Sequence, residues 1–172
     1  MREFAVAFHR DLTFKDIDLN QLPKNRIDSL SRIISAAFFL SHKFRRDVIL
    51  YFIFPSFVLK IEGERARHIH SDERSIAGLL KRFLKTKKHQ GFSILNLEEL
   101  NIKDFTVLEE NGGDLGVDCR KFLLGDYLGF PDFIKPHISK NKRISLGKKS
   151  YLTSHCIVVI HHELDRVEEK AL

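Results

Sequence analysis

Two glycine turns are the places best suited to hold a small ligand. Leu124-Gly125-Asp126 and Leu146-Gly147-Lys148 each set a glycine directly after a short apolar run. If those runs are strands of an open α/β sheet, the turns lie beyond strand carboxyl ends, where such sheets bind ligands. Glycine there lets the backbone come close to a ligand. Neither a P-loop nor a GxGxxG run occurs, so the usual nucleotide fingerprints are missing. A second set couples acids to arginines: Arg26 near Asp28, and Arg45-Arg46 before Asp47. Each reads either as a structural salt bridge or as a site that grips phosphate and positions a polar base edge. A third set is histidine-rich: His155, Cys156, His161 and His162, with His68 and His70 elsewhere. Two distant cysteines, Cys119 and Cys156, lack CxxC spacing, so no metal site is expected. Cys156 falls on an apolar stripe and reads as packing rather than as a nucleophile. Ser154 and His155 are chain neighbours and do not form a triad by position.

These residues need elements to hold them. Phe4, Val6 and Phe8 alternate with Ala5, Ala7 and His9, which predicts an opening strand. From Arg26 to His42, Ile27, Leu30, Ile33, Ile34, Ala37, Phe38 and Leu40 keep helical spacing. Val48 to Phe54 is a continuous apolar run bounded by Asp47 and Pro55, as a buried strand requires. Phe57 to Ile61 reads as a strand paired nearby. Ser71 reads as an N-cap, with Asp72 and Glu73 in the first turn of a helix whose apolar face is Ile76, Leu79, Leu80, Phe83 and Leu84. Lysines crowd the end of that helix, where cations are favourable. Phe92 to Leu95, Phe105 to Leu108, Phe122 to Leu124 and Ile144 to Leu146 are short strand candidates, and Asn111-Gly112-Gly113 reads as a turn. The stretch from Phe130 to Arg143, with Pro131 and Pro136, reads as loop with at most a short helix. Leu152, Cys156, Ile160, Leu164 and Val167 predict a final helix. Strands alternating with helices argue for an α/β fold with a mostly parallel sheet.

Composition narrows the partners. The chain has 172 residues, 43% hydrophobic and 30% charged, with no Pro/Gly-rich linker. One domain spanning 1–172 is the economical reading, large enough to bury roughly 70% of its unfolded surface without a disulfide. No run approaches the ~20 apolar residues of a membrane span. Met1-Arg2-Glu3-Phe4 is followed by no secretory h-region, so a cytoplasmic protein is expected. The net charge is +6, but residues 1–90 carry 18 basic and 10 acidic side chains and residues 91–172 carry 11 and 13. A basic half of this kind is the footprint of a large anion, nucleic acid first among them, or else a solvated surface.

Several motifs then occur in a fixed order. They are Met1-Arg2-Glu3-Phe4, Ala37-Phe38-Phe39-Leu40-Ser41-His42, Arg45-Arg46-Asp47, Ser71-Asp72-Glu73-Arg74-Ser75 and Leu124-Gly125-Asp126. Ile144-Ser145-Leu146-Gly147 and Ser154-His155-Cys156-Ile157 follow, leading to Glu163-Leu164-Asp165-Arg166. Over nearly the whole chain the sequence resembles the archaeal tRNA (pseudouridine-54) N1-methyltransferase family of the SPOUT superfamily. The resemblance implies an α/β domain with helices on both faces, a C-terminal trefoil knot over about 120–172, a homodimer, and S-adenosyl-L-methionine as methyl donor. It implies cofactor contacts from Leu124, Gly125, Asp126 and Gly129, from Leu146, Gly147, Lys148, Lys149, Ser150, Tyr151 and Leu152, and from Cys156.

The rest follows from the chemistry that activity needs. The methyl donor is a sulfonium that carries its own leaving group, so no nucleophilic side chain is required, and positioning supplies most of the acceleration. The acidic half is expected to bind the cofactor and the basic half, about 1–90, the RNA. Arg2, Arg26, Arg32, Arg45, Arg46 and Arg74 are the RNA candidates. Asp28 or Asp47, with Arg46 beside it, is expected to orient N1 of the acceptor or take its proton; Glu73 is the other acid considered. The competing expectations are methylation of a ribosomal-RNA pseudouridine and a non-catalytic RNA-binding module on the same fold.

Overall fold

A computed structural model describes residues 1–171 of the chain. Its strands and helices are β1 (Arg2–Ala7), α1 (Ile27–Phe38), β2 (Val48–Ile53), β3 (Val58–Glu62), α2 (Glu73–Thr86), β4 (Phe92–Leu95), β5 (Thr106–Gly113), β6 (Lys121–Gly125), α3 (Lys135–Ile138), β7 (Arg143–Ile144) and α4 (Thr153–Lys170). The strands form a seven-stranded sheet in the order β4-β3-β2-β1-β6-β5-β7. Pairing is parallel from β2 through β1, β6 and β5 to β7, and antiparallel from β2 to β3 to β4. The expected α/β architecture with a mostly parallel sheet is therefore present.

The strand sequences explain why the two faces differ. The central strands are apolar on both sides, as buried parallel strands must be. Phe4, Val6, Leu50, Phe52, Phe122 and Leu124 join the core that contains α1, α2 and α4. Ala5, Ala7, Tyr51, Ile53 and Leu123 face the other way, onto Leu100, Ile102, Phe105, Ile134 and Ile138. The first face carries the three long helices. The second is closed by α3 and by short 3-10 turns at Leu97–Glu99 and Ile102–Asp104.

Three local expectations need correction. Asp72, not Ser71, caps α2: its side chain accepts from the Ser75 N–H at 2.8 Å. Asn111-Gly112-Gly113 is not a turn but the end of β5, with a bulge between Leu108 and Gly113, both of which pair with Ile144. A Cβ on Gly112 would lie 2.3–2.6 Å from Ile144 backbone atoms, so only glycine lets β7 come this close. Gly112→Ala is therefore expected to push β7 away and cost about 2 kcal/mol, a fall of roughly 4–8 °C in thermal midpoint. An unchanged midpoint by scanning calorimetry would contradict the close packing. In α4 the buried face is Cys156, Ile157, Ile160, His161 and Leu164, while Leu152, at the N-cap of the helix, is exposed. The stripe is offset because Ile157 and His161, one position on, turn toward α1.

His161 belongs to a buried polar knot at the amino edge of the sheet. The Arg2 guanidinium, essentially buried, donates to His161 Nδ1 at 2.9 Å and pairs with Asp165 and Glu168 at 2.8 Å. His161 Nε2 lies 3.0 Å from the Ala37 carbonyl. Arg45 pairs with Asp165 from the other side at 2.5 Å. Guanidinium cannot accept and carbonyl cannot donate, so His161 carries its hydrogen on Nε2 and keeps Nδ1 bare. Among the described residues no helix is long and apolar enough to cross a membrane.

Candidate functional site

The parallel strands end together at Ala7, Ile53 and Gly125, and the cavities lie at or beyond that carboxyl edge. The first, about 410 Å³, is walled by the end of β6 and its following turn, by the end of β5, and by the loop from Leu146 to Thr153. That volume suits a small-molecule or cofactor site. Leu124, Gly125, Asp126, Gly129, Leu146, Gly147, Lys149, Ser150, Tyr151 and Cys156 all line it; Lys148 and Leu152 do not. Leu108, Glu109, Glu110, Asn111, Phe130 and Thr153 line it too. Sequence reasoning missed these, although β5 could have been found from the rule that ligands sit beyond adjacent strand ends.

Local geometry keeps the first cavity open. Gly125 packs so tightly on Gly129 that a Cβ would meet its backbone at 2.4–2.9 Å. Asp126 N–H donates to Ala7 O and Gly129 N–H donates to Asp126 O, which folds the turn back on β6. On the opposite wall Gly147 has φ +120°, and nothing lies within 4 Å of its missing Cβ. Ser145 Oγ holds that loop, lying 3.0 Å from both Glu110 O and Gly147 O, between which its one hydrogen is shared, and accepting from Gly147 N–H at 3.0 Å. Thr153 Oγ1 donates to Gly125 O at 2.9 Å and joins the two walls. Burial pushes the Cys156 thiol up, so it stays protonated and serves as packing.

The second cavity, about 330 Å³, adjoins the first. Asp126 and Thr153 line both. Its other walls include His9, Arg10 and Asp11 after β1, Asn25 and Arg26 before α1, and Tyr127 and Leu128. The Arg26 guanidinium lies 4.0 Å over the Tyr127 ring, a cation–π contact at the rim. Asp126 is only 8% exposed in its side chain. Its carboxylate accepts from the His9 N–H at 3.1 Å and the Leu128 N–H at 2.8 Å, and meets His9 Nδ1 at 2.8 Å. Asp126 thus organises the wall between the cavities; its oxygens are already engaged with the protein.

The other acid and arginine candidates scatter. Asp47 and Arg46 precede β2, and a parallel sheet puts such residues at its amino edge, roughly 17 Å from the carboxyl edge in the same chain. Neither lines either cavity of its own chain. Arg46 donates to Gly63 O and Ala66 O instead. Arg2 and Arg45 are corrected as RNA contacts: the first is 2% and the second 11% exposed in the side chain, both spent on Asp165. Asp28 sits in the first turn of α1, with Oδ2 3.0 Å from Arg32 and Oδ1 buried without a hydrogen-bond partner. It lies beside Arg26 but not on the cavity wall. Arg32 also reaches Glu73 at 3.5 Å, and exposed Arg74 donates to Leu19 O. Arg26 is the one predicted RNA arginine on the second cavity, joined there by Arg10, which sequence reasoning passed over. Among the described residues no group of three or more His, Cys, Asp or Glu could hold a metal ion.

Known proteins resemble this chain in sequence and in fold. A family model for SAM-dependent RNA methyltransferases matches residues 1–169. The tRNA (pseudouridine(54)-N(1))-methyltransferase of Methanocaldococcus jannaschii is 34% identical over 96% of this chain and 97% of its own. The protein of the same name from Methanococcoides burtonii is 33% identical over 96% of each. The crystal structure of Archaeoglobus fulgidus Nep1 bound to S-adenosylhomocysteine matches with a TM-score of 0.65 at 15% identity, covering 98% of this chain and all of that one, a likeness of fold.

Proposed function

The chain belongs to the SAM-dependent RNA methyltransferase family, and from that premise we propose that it transfers the methyl group of S-adenosylmethionine to N1 of pseudouridine 54 in tRNA. The observation that carries the reading is the pair of adjoining cavities that share Asp126 and Thr153 at the carboxyl edge of the sheet. Cavities that adjoin at these residues can hold two reactants side by side, and in-line positioning of the reacting atoms is worth up to ~7–11 kcal/mol.

The residues of the first cavity fit the cofactor. Gly129 and Gly147 leave space where a side chain would stand. Glu109, Glu110 and Asp126 outnumber Lys149, which suits a ligand bearing positive charge. Leu108, Leu124, Leu146 and Phe130 offer apolar surface to an adenine ring. When bound, the cofactor supplies a methyl group on a sulfonium. Backbone groups around Gly125 and Gly129 and from Leu146, Gly147 and Ser150 hold its nucleoside, and the acidic lining favours its cationic portion. The second cavity takes the target nucleoside, with Arg26 and Arg10 placed for the flanking phosphates.

The chain from about residue 120 through α4 threads as a trefoil knot. This is supported by β7 lying outside β5 while α4 returns to pack on α1, and by the Thr153 bond to Gly125 that brings the last loop onto the β6 turn. The enzyme works as a homodimer. Tyr151 and Leu152 just before α4 and Val158 in its second turn, 47–52% exposed, give an apolar face that suits a second copy.

The test is methyl transfer to a tRNA T-arm carrying pseudouridine 54, with uridine 54 and a pseudouridine-containing ribosomal fragment as competing acceptors. N1-methylpseudouridine in the T-arm alone, read by mass spectrometry, is the expected result. The logarithm of RNA affinity is also expected to fall linearly with the logarithm of salt concentration. Equal methylation of uridine, or preference for the ribosomal fragment, would overturn the assignment.

A further inference from the structure

We propose that His9, held by Asp126, is the group that takes the proton from the acceptor ring nitrogen, with Asp126 as its positioning residue; this rests on the function proposed above. His9 stands two residues beyond β1, on the wall of the second cavity. Phe8 N–H donates to Ile53 O, so the backbone there is still tied to the sheet edge. Asp126 fixes the next residue twice, through the His9 N–H at 3.1 Å and the ring Nδ1 at 2.8 Å.

That arrangement sets the tautomer. An ionised carboxylate only accepts, so Nδ1 carries the hydrogen and Nε2 keeps a free lone pair. Histidine oriented by a carboxylate is a recurrent way to hold a general base. The His9 side chain is 30% exposed, open enough for Nε2 to be reached from the cavity. Asp126 also lines the cofactor cavity. The proton acceptor, on the second cavity, is thus held by a residue at which the two cavities adjoin. Asp28, one of the two acids considered from the sequence, lacks this placement and is already paired with Arg32.

The ring nitrogen forms the new N–C bond with the pair released from its N–H bond. The C–S pair stays with sulfur, neutralising the sulfonium. The proton passes to His9 Nε2 and from the imidazolium to water. Other charges facing His9 are Asp126 and Asp132 from the segment after β6, Arg26 before α1, Asp16, and its own neighbours Arg10 and Asp11.

Three readouts test this. Heteronuclear NMR of the imidazole nitrogens in the cofactor-free protein is expected to show His9 with its hydrogen on Nδ1, and Asp126→Asn is expected to abolish that preference. Single-turnover methylation of the pseudouridine T-arm by His9→Ala is expected to fall about 100-fold at neutral pH. Its rate should then climb with pH where the wild type levels off, and added imidazole should restore part of it. Calorimetric affinities for S-adenosylmethionine and RNA are expected to stay within about threefold. Asp28→Asn serves as the competing variant. An Nε2–H tautomer, a His9→Ala rate near wild type, a loss explained wholly by affinity, or a pH response that moves with Asp28→Asn instead would each overturn the proposal. A wild-type protein that binds no S-adenosylmethionine and methylates no RNA would overturn the functional reading itself.

Discussion

Gly147→Trp is expected to weaken S-adenosylmethionine binding about 1000-fold, ~4 kcal/mol, with the fold retained. Gly147 lines the first cavity, and the space next to its Cα is empty for 4 Å. An indole projecting there meets no protein atom at its base, so the substitution removes room from a cavity of about 410 Å³ rather than displacing the core. The positive φ of +120° strains any L side chain, but that strain falls on a loop held by Ser145 rather than on a strand. Gly125→Ala would be a poorer probe, because its Cβ meets the Gly129 backbone at 2.4 Å and would force the whole turn apart. Calorimetric titration reads the affinity, and scanning calorimetry checks that the thermal midpoint moves by less than about 4 °C, the shift of roughly 1 kcal/mol. Undiminished affinity in a folded Gly147→Trp protein would place the cofactor elsewhere.

The second large effect is on stability against pH. Burial, the Arg45 charge and the Arg2 charge lower His161 from 6.5 to about 4, against the Ala37 hydrogen bond and Asp165, which favour its charged form. The folded protein therefore resists a proton that the unfolded chain accepts. Above 6.5 both states are neutral and the fold keeps the full benefit. As pH falls from 6.5 toward 4, the unfolded state alone gains protons, and roughly 3 kcal/mol is lost. Asp165 acts in a lower window. Burial pushes its carboxyl up, but hydrogen bonds and charge from Arg45 and Arg2 outweigh this and hold it below the usual range. Its contribution is present above the ordinary carboxylate pKa and disappears as pH drops through the folded value. Urea unfolding across this range is expected to show the decline in the wild type. His161→Gln, whose amide can still donate to Ala37 O and accept from Arg2, is expected to flatten the upper part. A wild-type stability that stays level from neutrality to about pH 4.5 would contradict the neutral His161.

Much of the fold was legible because burial leaves periodic marks. Val48 to Ile53 could only be a two-sided strand, and Ile27 to Phe38 only an amphipathic helix. The Leu124-Gly125 and Leu146-Gly147 turns were legible for the same reason, since a glycine after a strand points to the carboxyl edge. Family motifs added the methyl-transfer chemistry, which no periodicity encodes. What stayed hidden was distance. Asp47 and Arg46 have the right chemistry, but their place before β2 puts them at the wrong edge of the sheet. Arg2 reads as a surface cation until Asp165 and Glu168, more than 160 positions away, are seen to enclose it. His9 was read only as the outward residue of a strand, because its partner Asp126 lies 117 positions on. Gly112 carried a turn signal that its packing on Ile144 overrides.

The same long separations decide how the molecule comes together. β1 lies between β2 and β6, so its second hydrogen-bonding edge stays open until Lys121–Gly125 is available. Arg2 stays unburied until residues 161–168 close over it. Contacts of such high order are slow to form, because the loop must close before any pairing rewards it. During synthesis, at ~5–20 residues per second, an apolar strand with one bare edge waits several seconds for its neighbour. The charges at its start, Arg2 and Glu3, are the kind that discourage pairing with the wrong chain meanwhile. The clasp between the first strand and the last helix is thus expected to form late in folding, and destabilising it should show first as nascent-chain aggregation.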